Sequence, residues 1–223
     1  MTVDELKNNL YAVQGRIARA AEAAGSVVKL VAATKTVPAE FVNAIVGLGV
    51  TDVGENRVQE YLAKRDVVTG AEWHFIGTLQ RNKAKYLVGK VALIQSVSSV
   101  GLAEEIERLA DKLNVVQDVL VEVNAADEPS KTGADFGIAD ELIERVGAMS
   151  HIRLRGVMAV PPRDADDAAY KRVARLYERY KDKSAGFDIL SVGMSGDCER
   201  AIACGSNMVR IGTALFGARN TGG

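Results

Sequence analysis

VVKLVAATKTVPAE (27–40) is the stretch that decides the fold. Residues 27–34 form a short, apolar, β-branched run, which reads as a strand buried on both faces. Helical spacing follows in Phe41, Val42, Ile45 and Leu48, with Pro38 in the first turn, where its missing N–H costs least. The turn between them, ATKTVPAE, carries no glycine. An open doubly wound sheet usually has a Gly-rich turn after its first strand. Upstream, Val3, Leu6, Leu10, Val13 and Ile17 step by three and four, predicting a helix that ends near Gly25.

Downstream the same alternation runs to the end of the chain. Strands are expected at 50–53, 72–76, 91–97, 115–123, 152–160, 188–192 and 207–211, with helices at 56–68, 80–88, 100–113, 139–149, 167–182 and 197–204. That makes eight strands, each but the last followed by a clear helix. Continuous apolar strands separated by helices indicate a parallel sheet covered on both faces. Eight such units in 223 residues suit an α/β fold of one closed (β/α)8 TIM barrel with an extra N-terminal helix. We expect a single domain over 1–223, with 1–25 packed on the barrel as that helix. Helix-to-strand turns are short. NAADEPSKTGADFG (124–137) and AVPPRDADD (159–167) are long strand-to-helix loops, on the face where barrels carry function.

Composition narrows the partners. The chain has 28 Lys plus Arg against 29 acids, a net charge of -1, with 48% hydrophobic and 26% charged residues. This balance argues against binding nucleic acid or an anionic membrane through bulk charge. Cys198 and Cys204 lie six residues apart, about 240° around a helix, so neither a disulfide nor a metal site is expected. MTVDELKNNL (1–10) has acids and amides where a signal peptide needs basic residues and then an apolar run. No stretch approaches the ~18 apolar residues of a membrane span. The expectation is a cytoplasmic monomer or small oligomer, the monomer being the first reading, with no membrane or nucleic-acid partner.

The ends of the strands hold the candidate chemistry. Lys35 directly follows a core strand, and lysine is seldom buried without a reason. It reads either as an ion-paired or snorkelling residue or as a desolvated amine able to form a Schiff base with a carbonyl. The turn SVGMSGD (191–197) sets Ser195 between glycines before a short helix, and RIGTALFG (210–217) offers Gly212 and Thr213. Barrels often hold phosphate with the loops after strands seven and eight. Arg210 alternates with Val209 and Ile211, pointing into the barrel, where it needs a partner such as Glu122 or a ligand. His74 is either a core histidine or a wall for a planar ligand. A strand-end lysine beside a phosphate cradle asks for a ligand with a carbonyl and a phosphate, which pyridoxal phosphate and phosphosugars both are.

LVAATKTVP (30–38), GENRVQE (54–60), WHFIGTLQRNK (73–83), VGMSGD (192–197) and MVRIGTALFGAR (208–219) resemble, in that order, the pyridoxal phosphate homeostasis proteins, relatives of the N-terminal barrel of alanine racemase. The resemblance spans nearly the whole chain. It implies a fold-type III barrel holding pyridoxal 5'-phosphate as a Schiff base on Lys35, with the phosphate around Ser195, Gly212 and Thr213, and Met194 and Ser191 nearby. It also implies Arg210 at the pyridine nitrogen, and Asn56 and His74 lining the cofactor. Val192, Gly196 and Thr78 depart from the common family residues without touching that set.

Alanine racemase adds a second domain and a tyrosine base. We expect no room for that domain before Gly223, and Tyr11, Tyr61, Tyr86, Tyr170, Tyr177 and Tyr180 all fall in expected helices, away from Lys35. Racemisation needs a second base, so the expectation is a cofactor carrier that supplies apoenzymes and is not an enzyme. A pyridoxal-phosphate racemase or decarboxylase is the alternative, and a phosphosugar aldolase a more distant one.

Overall fold

A computed structural model describes residues 1–126, 132–183 and 186–217; residues 127–131 of the 124–137 loop and the last two residues of MVRIGTALFGAR lie outside them. Eight parallel strands close into a barrel in sequence order. They are β1 Lys29–Ala33, β2 Asp52–Glu55, β3 Glu72–Phe75, β4 Leu93–Val97, β5 Gln117–Val123, β6 Ile152–Ala159, β7 Ile189–Ser191 and β8 Met208–Ile211. Closure is made by β1 on β8, with Val31 opposite Arg210 and Ala32 opposite Ile211.

Helix α1, Val3–Ala24, stands in front of the barrel. Its start is written in the sequence: Thr2 Oγ1 accepts from the Glu5 N–H at 3.1 Å, and the Glu5 carboxylate accepts from the Thr2 N–H at 2.6 Å, satisfying donors that an N-terminus otherwise leaves bare. Leu6, Leu10, Val13 and Ile17 form its buried stripe. The connecting helices are α2 Ala39–Gly47, α3 Val58–Lys64, α4 Val100–Leu113, α5 Ala139–Gly147, α6 Asp167–Lys181, α7 Cys198–Ala203 and α8 Thr213–Phe216. The expected helix 80–88 is instead a 3-10 helix, Arg81–Tyr86, and the last strand does carry a helix, the single turn α8.

Two apolar layers hold the fold. The outer one packs strands against helices through Ala32, Val53, Phe75, Ile94, Val119 and Val157. The inner one, Val31, Leu93, Leu120, Met158 and Met208, fills the barrel. Strand alternation separates the two layers, and β6 switches parity part-way. Ile152 and Leu154 face the outer layer, and so do Val157 and Ala159. The switch is a bulge at Gly156, where φ is 146° and a Cβ would lie 1.8 Å from the Ile189 carbonyl oxygen. Only glycine fits there.

The N-terminal face of the barrel is tied by charges. The Asp118 carboxylate accepts from Arg153 Nε at 2.7 Å and from Arg155 Nη1 at 2.8 Å, and Arg155 also grips Asp188 through Nε and Nη2. On the opposite side of the same face Lys29 donates to Asp52 at 3.0 Å.

Candidate functional site

Strand parity assembles the site at the C-terminal mouth. On β1, Lys35 shares the inward parity of Lys29 and Val31; on β2, Asn56 shares that of Asp52 and Gly54. His74, Ser191, Arg210 and Gly212 fall on the inward parity of β3, β7 and β8 in the same way.

The backbone around Lys35 is clamped. Thr34 donates from its N–H to the Gly54 carbonyl at 2.9 Å and from Oγ1 to Glu55 Oε1 at 2.7 Å. Lys64 Nζ, behind the strand, donates to Thr34 O at 2.8 Å and to Glu55 Oε1 at 2.7 Å. Past the lysine, the Thr36 N–H donates to Glu60 Oε2 at 2.6 Å, and Thr36 holds φ at 63°, a left-handed conformation rare for a β-branched residue. Such strain persists where the surroundings over-determine it, as they do on both sides of Lys35. Burial pushes the Glu55 carboxyl upward in spite of Lys64 and Thr34.

Asn56 sits on the next strand end, with Oδ1 buried and without a hydrogen-bond partner among the described residues. Gly77 presses against its backbone: a Cβ there would lie 2.2 Å from Asn56 O. His74 lies inside the barrel, 4% exposed, with Nε2 3.0 Å from Asp52 Oδ1 and Nδ1 2.9 Å from Gln95 Nε2. Burial raises the Asp52 carboxyl, but hydrogen bonds from His74 and Lys29 outweigh it and hold the pKa below the usual value.

Arg210 is also 4% exposed. Its Nη1 donates to Ser191 O at 2.7 Å and to Ser191 Oγ at 2.5 Å, and its Nη2 to Ala159 O at 2.9 Å. Burial lowers its pKa to about 10, with Glu122 and Asp197 opposing, so the guanidinium stays charged at neutral pH. The expected partner Glu122 acts on it through space. Burial pushes the Glu122 carboxyl up, against a hydrogen bond from Thr132 and the Arg210 charge.

The turn after β7 and the start of α8 meet. Ser195 Oγ accepts from the Ala214 N–H at 3.1 Å, which brings Ser195 beside Gly212 and Thr213. Met194 donates from its N–H to Asp197 Oδ1 at 2.7 Å, and Tyr170 donates to Asp197 Oδ2 at 2.7 Å. Arg16 of α1 reaches Ser195 O at 3.0 Å while paired with Glu199. All six tyrosines lie in helices: Tyr11 in α1, Tyr61 in α3, Tyr86 in the 3-10 helix, and Tyr170, Tyr177 and Tyr180 in α6. Among the described residues, no group of three His, Cys, Asp or Glu side chains is placed to hold a metal, and no helix is long and apolar enough to cross a membrane.

Comparison with known proteins fits this geometry. Residues 1–220 match the family model described as alanine racemase, N-terminal domain. The pyridoxal phosphate homeostasis protein of Aquifex aeolicus is 43% identical over 94% of this chain and 96% of its own, and that of Escherichia coli 36% identical over 98% of each. The chain belongs to the pyridoxal phosphate homeostasis family. PipY of Synechococcus elongatus, solved with PLP bound, superimposes with a TM-score of 0.83 at 28% identity, over 95% of this chain and all of that one. A crystal structure described as an unknown protein from Bifidobacterium adolescentis reaches 0.89 at 34% identity, over 96% of this chain and 95% of its own. Alanine racemase of Clostridium difficile shares the barrel, with a TM-score of 0.76 at 19% identity over 98% of this chain and 58% of that one.

Sequence reasoning missed Asp52, Gln95, and the clamp of Thr34, Glu55 and Lys64. Gln95 carried a usable signal: a glutamine inside VALIQSV (91–97) must find partners once that run is a core strand.

Proposed function

We propose that this chain binds pyridoxal 5'-phosphate as a Schiff base on Lys35 and supplies it to apoenzymes without turning over a substrate of its own. The observation that carries the reading is the meeting, at one barrel mouth, of a clamped strand-end lysine, a buried arginine fork and the Ser195–Gly212 turn. The residues present suit the group: the orphaned Oδ1 of Asn56 seeks a donor, and the backbone near Ser195, Gly212 and Thr213 suits a phosphate. Met194 and Ser191 flank that turn, and His74 stands deeper in the barrel. The cofactor supplies an aldehyde for the lysine and a ring that can withdraw electrons. Arg210, charged throughout the physiological range, would offer a ring nitrogen a hydrogen bond but not its proton, and the ring would be a poorer electron sink for it.

All six tyrosines lie in helices, so no tyrosine is placed as a second base opposite Lys35, which favours a carrier over a racemase. The relatives' shared name supports the same reading. We place the protein in the cytoplasm as a monomeric, single-domain barrel meeting apoenzymes transiently. The match to an alanine racemase domain keeps a racemase or decarboxylase as the second reading.

The test is the near-ultraviolet and visible spectrum with added pyridoxal phosphate, followed by borohydride reduction and peptide mapping. A visible band, and a reduced adduct on Lys35 that is lost in Lys35→Ala, are expected. A colourless, unlabelled protein overturns the proposal. Turnover of an amino acid that vanishes in Lys35→Ala moves the protein to the enzyme reading.

A further inference from the structure

A line of buried polar side chains crosses the barrel interior from its N-terminal rim to its mouth. Asp52, His74, Gln95, Ser191 and Arg210 come from β2, β3, β4, β7 and β8, and join end to end. Four of them are almost completely out of water: His74 4%, Gln95 0%, Ser191 0% and Arg210 4% exposed.

The two ends dictate the direction of every link. A guanidinium can only donate, and a carboxylate can only accept. Arg210 Nη1 donates to Ser191 Oγ at 2.5 Å, so the serine hydrogen goes onward, to Gln95 Oε1 at 2.6 Å. That turns the Gln95 amide nitrogen toward His74 Nδ1, at 2.9 Å. An amide nitrogen has no lone pair to offer, so Nδ1 accepts and the ring proton sits on Nε2. Nε2 then donates to Asp52 Oδ1 at 3.0 Å, a carboxylate that also takes Lys29 at 3.0 Å. Reversing Gln95 would leave the Ser191 hydroxyl hydrogen facing an amide donor, and would set a bare Nε2 against the carboxylate unless the ring took up a second, buried proton. In a water-free interior each misdirected link is costly, and aligned links reinforce one another.

We infer that Asp52, His74, Gln95 and Ser191 form a one-way hydrogen-bond line that fixes the orientation of the Arg210 guanidinium, with Gln95 and His74 acting as positioning residues. The effect on a bound cofactor rests on the proposed function; the direction of the line does not.

The first test is nitrogen-15 NMR of the imidazoles in cofactor-free protein at neutral pH. The sequence has 2 histidines, so His151→Asn assigns them. His74 is expected to show an unprotonated Nδ1 and a protonated Nε2. In Gln95→Glu, which sets a carboxylate against Nδ1, that nitrogen is expected to gain its proton. A protonated Nδ1 in the unaltered protein, or an unchanged pattern in Gln95→Glu, overturns the inference. The second test titrates pyridoxal phosphate. Gln95→Leu is expected to weaken binding about tenfold and move the visible band, with Gln95→Glu recovering part of both. Wild-type affinity and an unmoved band in Gln95→Leu sink the positioning role. If the unaltered protein takes up no pyridoxal phosphate, the proposed function fails, and the nitrogen pattern still decides the direction of the line.

Discussion

Lys64 Nζ and Glu55 Oε1 lie 2.7 Å apart, with side chains 10% and 1% exposed. Removing one partner of such a pair leaves the other buried without its counter-charge. Lys64→Met is therefore expected to cost about 3 kcal/mol in urea unfolding, and Glu55→Gln in the same chain to restore a good part of it. The two kinds of carboxylate here respond to pH with opposite signs. Arg16 holds Glu199 down, to about 2, so its contribution is whole above the ordinary carboxylate range and fades as pH falls toward 2. Glu199→Gln should flatten that acid limb in a melting-temperature titration. Glu55 and Glu122, raised by burial, favour the fold in their protonated form, and that contribution is lost as pH rises through their raised values. Sequence alone could single out Lys35 at a strand end, Ser195 between glycines in a turn and Arg210 inside an apolar strand, because each stood against its surroundings. It could not show Glu55 as buried, since GENR (54–57) looks like an exposed polar turn until Lys64 is folded beneath it.

At the level of the elements, apolar runs made the strands legible. The 3-10 helix Arg81–Tyr86 was harder, because Ala84 and Leu87 are three apart and Ala84 and Val88 four, so their burial suits either helix type. The bulge at Gly156 gives a sharp prediction. Gly156→Ala combines a positive φ with a clash on the Ile189 carbonyl and should lower stability by at least about 2 kcal/mol, measured by thermal unfolding. Helix α1 does more than cover the barrel, since Arg16 holds both Glu199 and the Ser195 carbonyl. In Arg16→Gln, the affinity for pyridoxal phosphate is expected to fall several-fold in titration while pyridoxal, which lacks the phosphate, is affected less.

Across the whole molecule the two barrel faces divide the work. The Arg153–Asp118–Arg155–Asp188 network lies on the N-terminal face, the site on the other, and barrels commonly separate stability from function in this way. Asp118→Asn is expected to cost about 2 kcal/mol of stability and to leave cofactor titration unchanged; a shift in that titration would mean that the two faces are coupled. The period-two pattern placed Arg210 correctly, but the interior line through Gln95 and Asp52 emerges only when five strands are set side by side. Closure has a consequence of its own. With β1 bonded to β8, every strand of the barrel has a neighbour on each side, and among the described residues the barrel leaves no strand edge open for a visiting chain to extend. A protein that receives anything from this one must recognise its loops or outer helices by their side chains, and the same closed seam denies misfolded neighbours a template on which to aggregate.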